Sequence, residues 1–231
     1  MAISTHAIVV LIGLIFPLYI LLTYKKANDR LKNDKNYKVP YYKQLITIFW
    51  VLAGLVIAST FLDPSITLNF YPTFNTIGII LAVAILVFII ALVVTSKIDT
   101  EEKAKSTIKK IKEVYHFLPK SRHEHMWFNA LSITAGICEE VIFRLFMFSY
   151  ISMYTNLVVA FLLTNFIFAL THIDTSKQNT FNAFLLGLLF TTIYYFTDNI
   201  WLPIVLHIAI DASLGYLGYH SYIVNKKSTA E

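Results

Sequence analysis

The chain has 231 residues, is 57% hydrophobic with a mean hydropathy of +0.63, and carries a formal net charge of +5. That hydropathy excludes an ordinary soluble domain, and long apolar runs without alternation exclude a β-barrel. A single cysteine excludes a disulfide framework and any CxxC metal or redox motif.

In chain order, the first apolar run is Ala7 to Tyr24. No Lys or Arg precedes it and no small-residue cleavage site follows, so it reads as a retained helix. A basic loop comes next, with Lys25, Lys26, Arg30, Lys32, Lys35, Lys38 and Lys43 against Asp29 and Asp34. The second run is Leu45 to Leu62, and the third, Ile77 to Thr95, is almost purely aliphatic, as a lipid-facing helix is. A second basic segment runs from Lys97 to Arg122. Within it, Thr107 to Phe117 has apolar residues at helical spacing with lysines opposite, which predicts an interfacial amphipathic helix or a solvated linker helix. Four more runs follow: Met126 to Met153, Leu157 to Asp174, Phe181 to Phe196, and Trp201 to Tyr219.

The expected fold is therefore all-α, a polytopic transmembrane helical bundle of about seven spans with any active site among the last four. Three regions are expected: 1–120, a three-span membrane region with two basic loops; 121–220, a catalytic membrane core; and 221–231, a tail. Every Lys and Arg except Arg144 lies after spans one, three or five, or in the tail. The positive-inside rule then puts the N-terminus outside and the C-terminus in the cytoplasm. The basic loops beside the spans point to anionic lipids and not to nucleic acid. No internal repeat indicates an inverted-repeat transporter.

Polar residues inside the runs carry the functional signal. Cys138-Glu139-Glu140-Val141-Ile142-Phe143-Arg144 places two carboxylates and a guanidinium where hydrocarbon is expected, and an intramembrane charge costs several kcal/mol without a partner. Glu140 and Arg144 are four apart on one helical face, which predicts a neutralising pair and leaves Glu139 for chemistry. Asn165, Phe168 and His172 share a face, as do His207 and Asp211. Singly, such groups are often helix–helix hydrogen bonds or clasps. Four ionisable groups on three late spans, with none in the first three, favour a common site. Glu139, His172, His207 and Asp211 would either activate a water directly or ligate a Zn²⁺ ion that does so. Their literal depths spread by roughly 10 Å at 1.5 Å per residue. Convergence to within about 4–8 Å then requires the fourth span to start near Ser132, with Tyr115 to Ala130 interfacial, and the seventh span to tilt. His123, Glu124 and His125 lack HExxH spacing and are read as surface, and Cys138 as packing.

Together, Glu139-Glu140-x-x-x-Arg144, Phe168-x-x-x-His172 and His207-x-x-x-Asp211 resemble the three-motif signature of the CPBP family, the CAAX-processing and bacteriocin-processing (Abi) intramembrane endopeptidases. The resemblance covers about Ser121 to Gly218. It implies hydrolysis of a peptide bond in a membrane-associated peptide or protein. By it, Glu139 activates water, His172 is its partner on that water, and His207 with Asp211 holds the oxyanion or completes the site. Glu140, Arg144, Phe168 and Asn165 would support them. The family most often has Asn where this chain has Asp211, and an ionised carboxylate cannot donate to an oxyanion. The family carries a metalloprotease label, with Glu139, His172, His207 and Asp211 as the ligands if a divalent metal is used; a metal-free glutamate mechanism is the alternative, and the resemblance leaves both open. Other classes are a non-catalytic immunity or scaffold protein and a proton-coupled carrier. HExxH, GxGD and GxSG signatures of other intramembrane proteases are absent from the sequence.

Overall fold

The computed structural model describes residues 2–173 and 176–228, and among them the chain forms eight helices and no strand. They are α1 (Ile3–Asn33), α2 (Lys38–Leu62), α3 (Thr76–Thr95), α4 (Glu101–Lys110), α5 (Arg122–Glu140), α6 (Leu157–Leu170), α7 (Lys177–Thr197) and α8 (Trp201–Ser228). Helix α5 runs on through π-helical turns, Val141–Phe148, into Ser149–Ser152. Helix α1 contains a shorter π segment, Leu11–Ile15.

The starts are set by polar caps. The side chains of Asn75, Thr100, Ser121, Asn156 and Ser176 each accept from a backbone N–H in the first turn that follows. At α5 the cap is reinforced: Glu124 returns to accept from the Lys120 N–H at 2.8 Å, close to a capping box. Helix α7 ends on Asp198 in the left-handed region, φ 48°.

Five helices, α1, α2, α3, α7 and α8, are long and apolar enough to cross a bilayer. The chain is an integral membrane protein with five candidate spans, not seven. The two expected spans that drop out are the inner ones. Helix α6 has 14 residues, about 21 Å at 1.5 Å per residue against a hydrocarbon core of about 30 Å. Helix α5 carries Glu139, Glu140 and Arg144, and every residue from Cys138 to Phe148 is buried by neighbouring helices rather than offered to lipid. Hydropathy alone does not separate a helix wrapped in protein from one wrapped in lipid. The fifth run was also expected to reach Asp174, which lies outside the described residues; the helix itself stops at Leu170.

Other boundaries move as well. Helices α1 and α2 extend into the first basic loop, α8 takes in the expected tail as far as Ser228, and residues 229–231 lie outside the description. The expected amphipathic helix over Thr107 to Phe117 ends at Lys110, and turns follow to Phe117. Helix α5 starts at Arg122, so Tyr115 to Ala130 is no separate interfacial segment. Glu124 and His125 are half-buried rather than freely solvated: Glu124 pairs with buried Lys38 at 3.5 Å, and His125 stacks on Tyr219. His123 is exposed and Cys138 is packed in the core.

Helices α5 and α8 form the tightest crossing. A side chain at Gly136 would collide with Ile208, and one at Gly215 with Phe128, so glycine lets the two backbones approach. This approach brings α8 against Glu139 and Glu140. The two basic segments meet at one end: Lys38 Nζ donates to Leu118 O (2.5 Å), Tyr42 Oη donates to Phe117 O, and His116 Nε2 contacts Asn28 Oδ1 (3.1 Å). At the other end, Asn199 donates to Thr73 O (3.1 Å) and Trp201 Nε1 to Phe70 O (2.9 Å).

Candidate active site

Helix α5 presents its charged residues at the change from α- to π-helical winding, a feature found most often at functional positions. Glu139 is 5% exposed, and Glu140 and Arg144 are fully buried. Arg144 Nη1 donates to Glu140 Oε1 at 3.1 Å, the pair that the spacing predicts. The guanidinium also donates from Nη2 to the carbonyl of Gly187 on α7 at 3.2 Å. It lies between two rings, 4.5 Å from the centroid of Phe168 and 5.4 Å from that of Phe190. Gly187 is required here: a Cβ would stand 2.6 Å from Asn165 Oδ1 and 3.3 Å from Arg144 Nη2.

Asn165 and Phe168 form the wall behind this pair. Asn165 Nδ2 donates to Thr191 Oγ1 (3.0 Å) and Thr191 donates back to Asn165 Oδ1 (3.1 Å), joining α6 to α7. Phe168 packs edge-on against Phe143 and contacts the His172 ring at 4.7 Å. His172 lies in the turn just beyond α6. Its Nδ1 is 3.1 Å from Phe168 O, a bond that puts the proton on Nδ1 and makes Nε2 the acceptor of the neutral ring.

One relationship escaped sequence reasoning. His207 on α8 donates from Nδ1 to Glu140 Oε1 at 2.8 Å, so Glu140 serves both Arg144 and His207. The other ring nitrogen, Nε2, stands 3.7 Å from Glu139 Oε2 and 3.7 Å from Asp211 Oδ2. The His207 ring stacks on Phe190 at 5.1 Å. Asp211 follows one turn later with its carboxylate 35% exposed. Glu139 Oε2 is buried and has no hydrogen-bond partner among the described residues.

Glu139, His172, His207 and Asp211 line one cavity of about 500 Å³, which extends along α1 and α2 to Lys26 and Arg30 at the basic end. The four side chains thus meet on one cavity, and the helix that carries Glu139 begins at Arg122 and not near Ser132. Among the described residues, no three His, Cys, Asp or Glu side chains are placed to hold one metal ion. His207 Nδ1 is committed to Glu140 and His172 Nδ1 to Phe168 O, and His207 Nε2 stands 3.7 Å from both Glu139 Oε2 and Asp211 Oδ2.

The chain is thus an all-α integral membrane protein with a charged, hydrogen-bonded centre beside an internal cavity. Residues 122–213 match the family model described as "Type II CAAX prenyl endopeptidase Rce1-like". They form a domain of the Rce1-like CAAX prenyl endopeptidase (CPBP) family, a protease family. The match runs from the first residue of α5 into α8 and takes in all three motifs; α1 to α4 lie outside it. No curated protein and no solved structure gives a match.

Proposed function

We propose that this protein is an intramembrane endopeptidase that hydrolyses a peptide bond of a membrane-associated peptide or protein with a water activated by Glu139. The observation that carries the reading is Glu139 Oε2, a buried carboxylate oxygen without a hydrogen-bond partner among the described residues, 3.7 Å from His207 Nε2 on a cavity wall.

In this reading a water enters the cavity and is gripped by Glu139 and by His172 Nε2. Glu139 takes its proton, and the water oxygen adds to the scissile carbonyl carbon. His207 acts as the imidazolium: Nδ1–H stays on Glu140, and Nε2–H donates to the oxyanion. Asp211 steadies that imidazolium. The C–N bond then breaks, and Glu139 returns its proton to the leaving amine. Glu140, Arg144, Phe168 and Asn165 fix the positions of these groups. This route uses only side chains of the chain itself.

Orientation belongs to the same proposal. The two basic segments and the C-terminal end of α8 gather at the cavity mouth, which supports a mouth on the cytoplasmic side, an N-terminus outside and anionic lipid around the basic rim. The location proposed is a bacterial cytoplasmic membrane. The region 1–120 would frame the catalytic core of 121–220.

A second reading has one observation of its own: Arg144, Glu140 and His207 link α5, α7 and α8, as a purely structural clasp would. One experiment separates the two. The purified chain is reconstituted into liposomes with a membrane-peptide extract, and new termini are read by mass spectrometry. New termini that form with the wild type and not with Glu139→Gln support the protease. The same termini with both proteins would leave the clasp.

A further inference from the structure

The family-matched residues build only part of the cavity. Its remaining wall comes from α1 and α2, from Phe16, Ile20 and Ile48 near the middle to Lys26, Arg30 and Tyr37 at the mouth. The two ends differ in charge. At the floor stand Glu139 and Asp211; at the rim stand Lys26 and Arg30, four apart on one face of α1. Both rim residues are exposed, neither forms an ion pair among the described residues, and the Arg30 guanidinium lies 5.5 Å over the Tyr37 ring. Asp29 and Asp34 share a shallow surface depression with them but do not line the cavity. Between rim and floor the walls are mainly apolar, with Thr23, Gln44 and Ser132 interspersed.

The length between the two ends can be read from α5. The rim is level with Phe128, because Asn28 meets His116 at 3.1 Å and the neighbouring Phe117 packs on Phe128 at 5.6 Å. From Phe128 to Glu139 is about 16 Å at 1.5 Å per residue. An extended peptide covers that distance in roughly five residues. A carboxylate on such a peptide is attracted by the two rim cations, whereas at the floor the His207 cation is already matched by Glu139 and Asp211, so the carboxylate favours one direction of the peptide.

We propose that α1, through Lys26 and Arg30, is a specificity element that selects apolar peptides bearing a carboxylate roughly five residues from the bond presented to Glu139. The proposal rests on the protease reading above. The carboxylate has two possible sources, an acidic side chain or a free C-terminus, and both present the same group to the rim.

The test uses the full chain in phosphatidylcholine liposomes with fluorescence-quenched peptides of Ala, Leu and Val. A single Glu is moved along the peptide, each with a Gln counterpart, and each with an amidated or a free C-terminus. The expected result is a preference for Glu over Gln of roughly tenfold in kcat/KM at one separation from the cut bond, the scale of one charge-assisted contact. A preference that survives amidation assigns the group to a side chain; one that needs the free end assigns it to the C-terminus. Lys26→Gln with Arg30→Gln brings the Glu/Gln ratio to about one. Lys26→Glu with Arg30→Glu inverts it in favour of Lys peptides, an outcome that misfolding does not produce. Cleavage with a ratio near one at every position, or a ratio unmoved by the variants, overturns the rim proposal and leaves the protease reading intact. Variant effects seen only when phosphatidylglycerol is added overturn it too, because the rim then holds lipid. Cleavage of no peptide by the wild type defeats the protease reading and the rim proposal with it.

Discussion

His207 and Glu140 are joined by a 2.8 Å hydrogen bond that ties α8 to α5. The same Glu140 oxygen accepts from Arg144 at 3.1 Å, so one carboxylate holds a guanidinium and an imidazole together in a fully buried place. This arrangement divides the labour of the adjacent glutamates. Glu140 is consumed by structure, and Glu139 remains beside the cavity.

The first prediction follows from that division. Arg144→Ala removes one of the two donors to the buried Glu140 carboxylate and leaves only His207, so it should destabilise the fold by up to about 3–5 kcal/mol. Glu139→Gln should fold as the wild type does, since its Oε2 gives up no hydrogen bond among the described residues. Thermal unfolding in detergent checks both. Pairing Arg144→Met with Glu140→Gln should restore part of the loss, because the buried carboxylate is removed together with the guanidinium that neutralised it.

The second prediction concerns activity. Glu139→Gln should lower kcat by roughly 10²–10⁴, the usual contribution of a general base. Glu140→Gln should lower stability and activity together. A kcat loss for Glu140→Gln without any loss of stability, in steady-state assays and unfolding scans, would reverse the roles assigned to the two glutamates.

How far these features can be read from sequence depends on their range along the chain. The Glu140–Arg144 pair was legible because four residues on a helix determine a shared face. The start of α5 was missed: the apolar run begins at Met126 and Glu124 reads as surface, although Ser121 with Glu124 three residues later is a capping pattern that marks a helix N-terminus. The His207–Glu140 bond was not legible, since it spans 67 residues and depends on how closely α5 and α8 approach at Gly136. The number of spans was misread for a related reason: α5 is apolar because other helices surround it. Nothing in Lys26 or Arg30 announces a cavity, because a basic residue at the end of a span looks the same whether it faces lipid headgroups or a pocket.

A third prediction uses pH at the basic end. Burial, followed by the charges of Lys32, Lys38 and Lys120, lowers the pKa of His116 below its ordinary value of 6.5. Folding therefore disfavours its protonated form. The stability associated with neutral His116 is fully present above pH 6.5 and is lost as pH falls through the lower folded-state value. The His116–Asn28 contact, in which Nε2–H donates to Oδ1, ties the second basic segment to α1 and survives protonation. A half-buried imidazolium beside Lys32, Lys38 and Lys120 is repelled, however, so acidification should loosen the cavity mouth. Hydrogen exchange in the Asn28 region should rise between neutral pH and pH 5 in the wild type and change less in His116→Gln. Equal acid sensitivity in both proteins would place the titrating group elsewhere.

The last prediction addresses Asp211, where this chain departs from the residue most often found in the family it resembles. Its carboxylate stands 3.7 Å from His207 Nε2, beyond hydrogen-bond range, and is 35% exposed. It therefore acts on His207 through its charge rather than through a fixed bond. Asp211→Asn keeps the shape, loses the charge, and adds an N–H able to donate to an oxyanion. The two changes oppose each other, so kcat should move by less than roughly tenfold in either direction. Asp211→Leu supplies neither charge nor donor and should lose more than Asp211→Asn does. Steady-state kinetics of the two variants side by side check this, and equal kcat for Asp211→Asn and Asp211→Leu would show that neither a charge nor a donor at this position acts in the reaction.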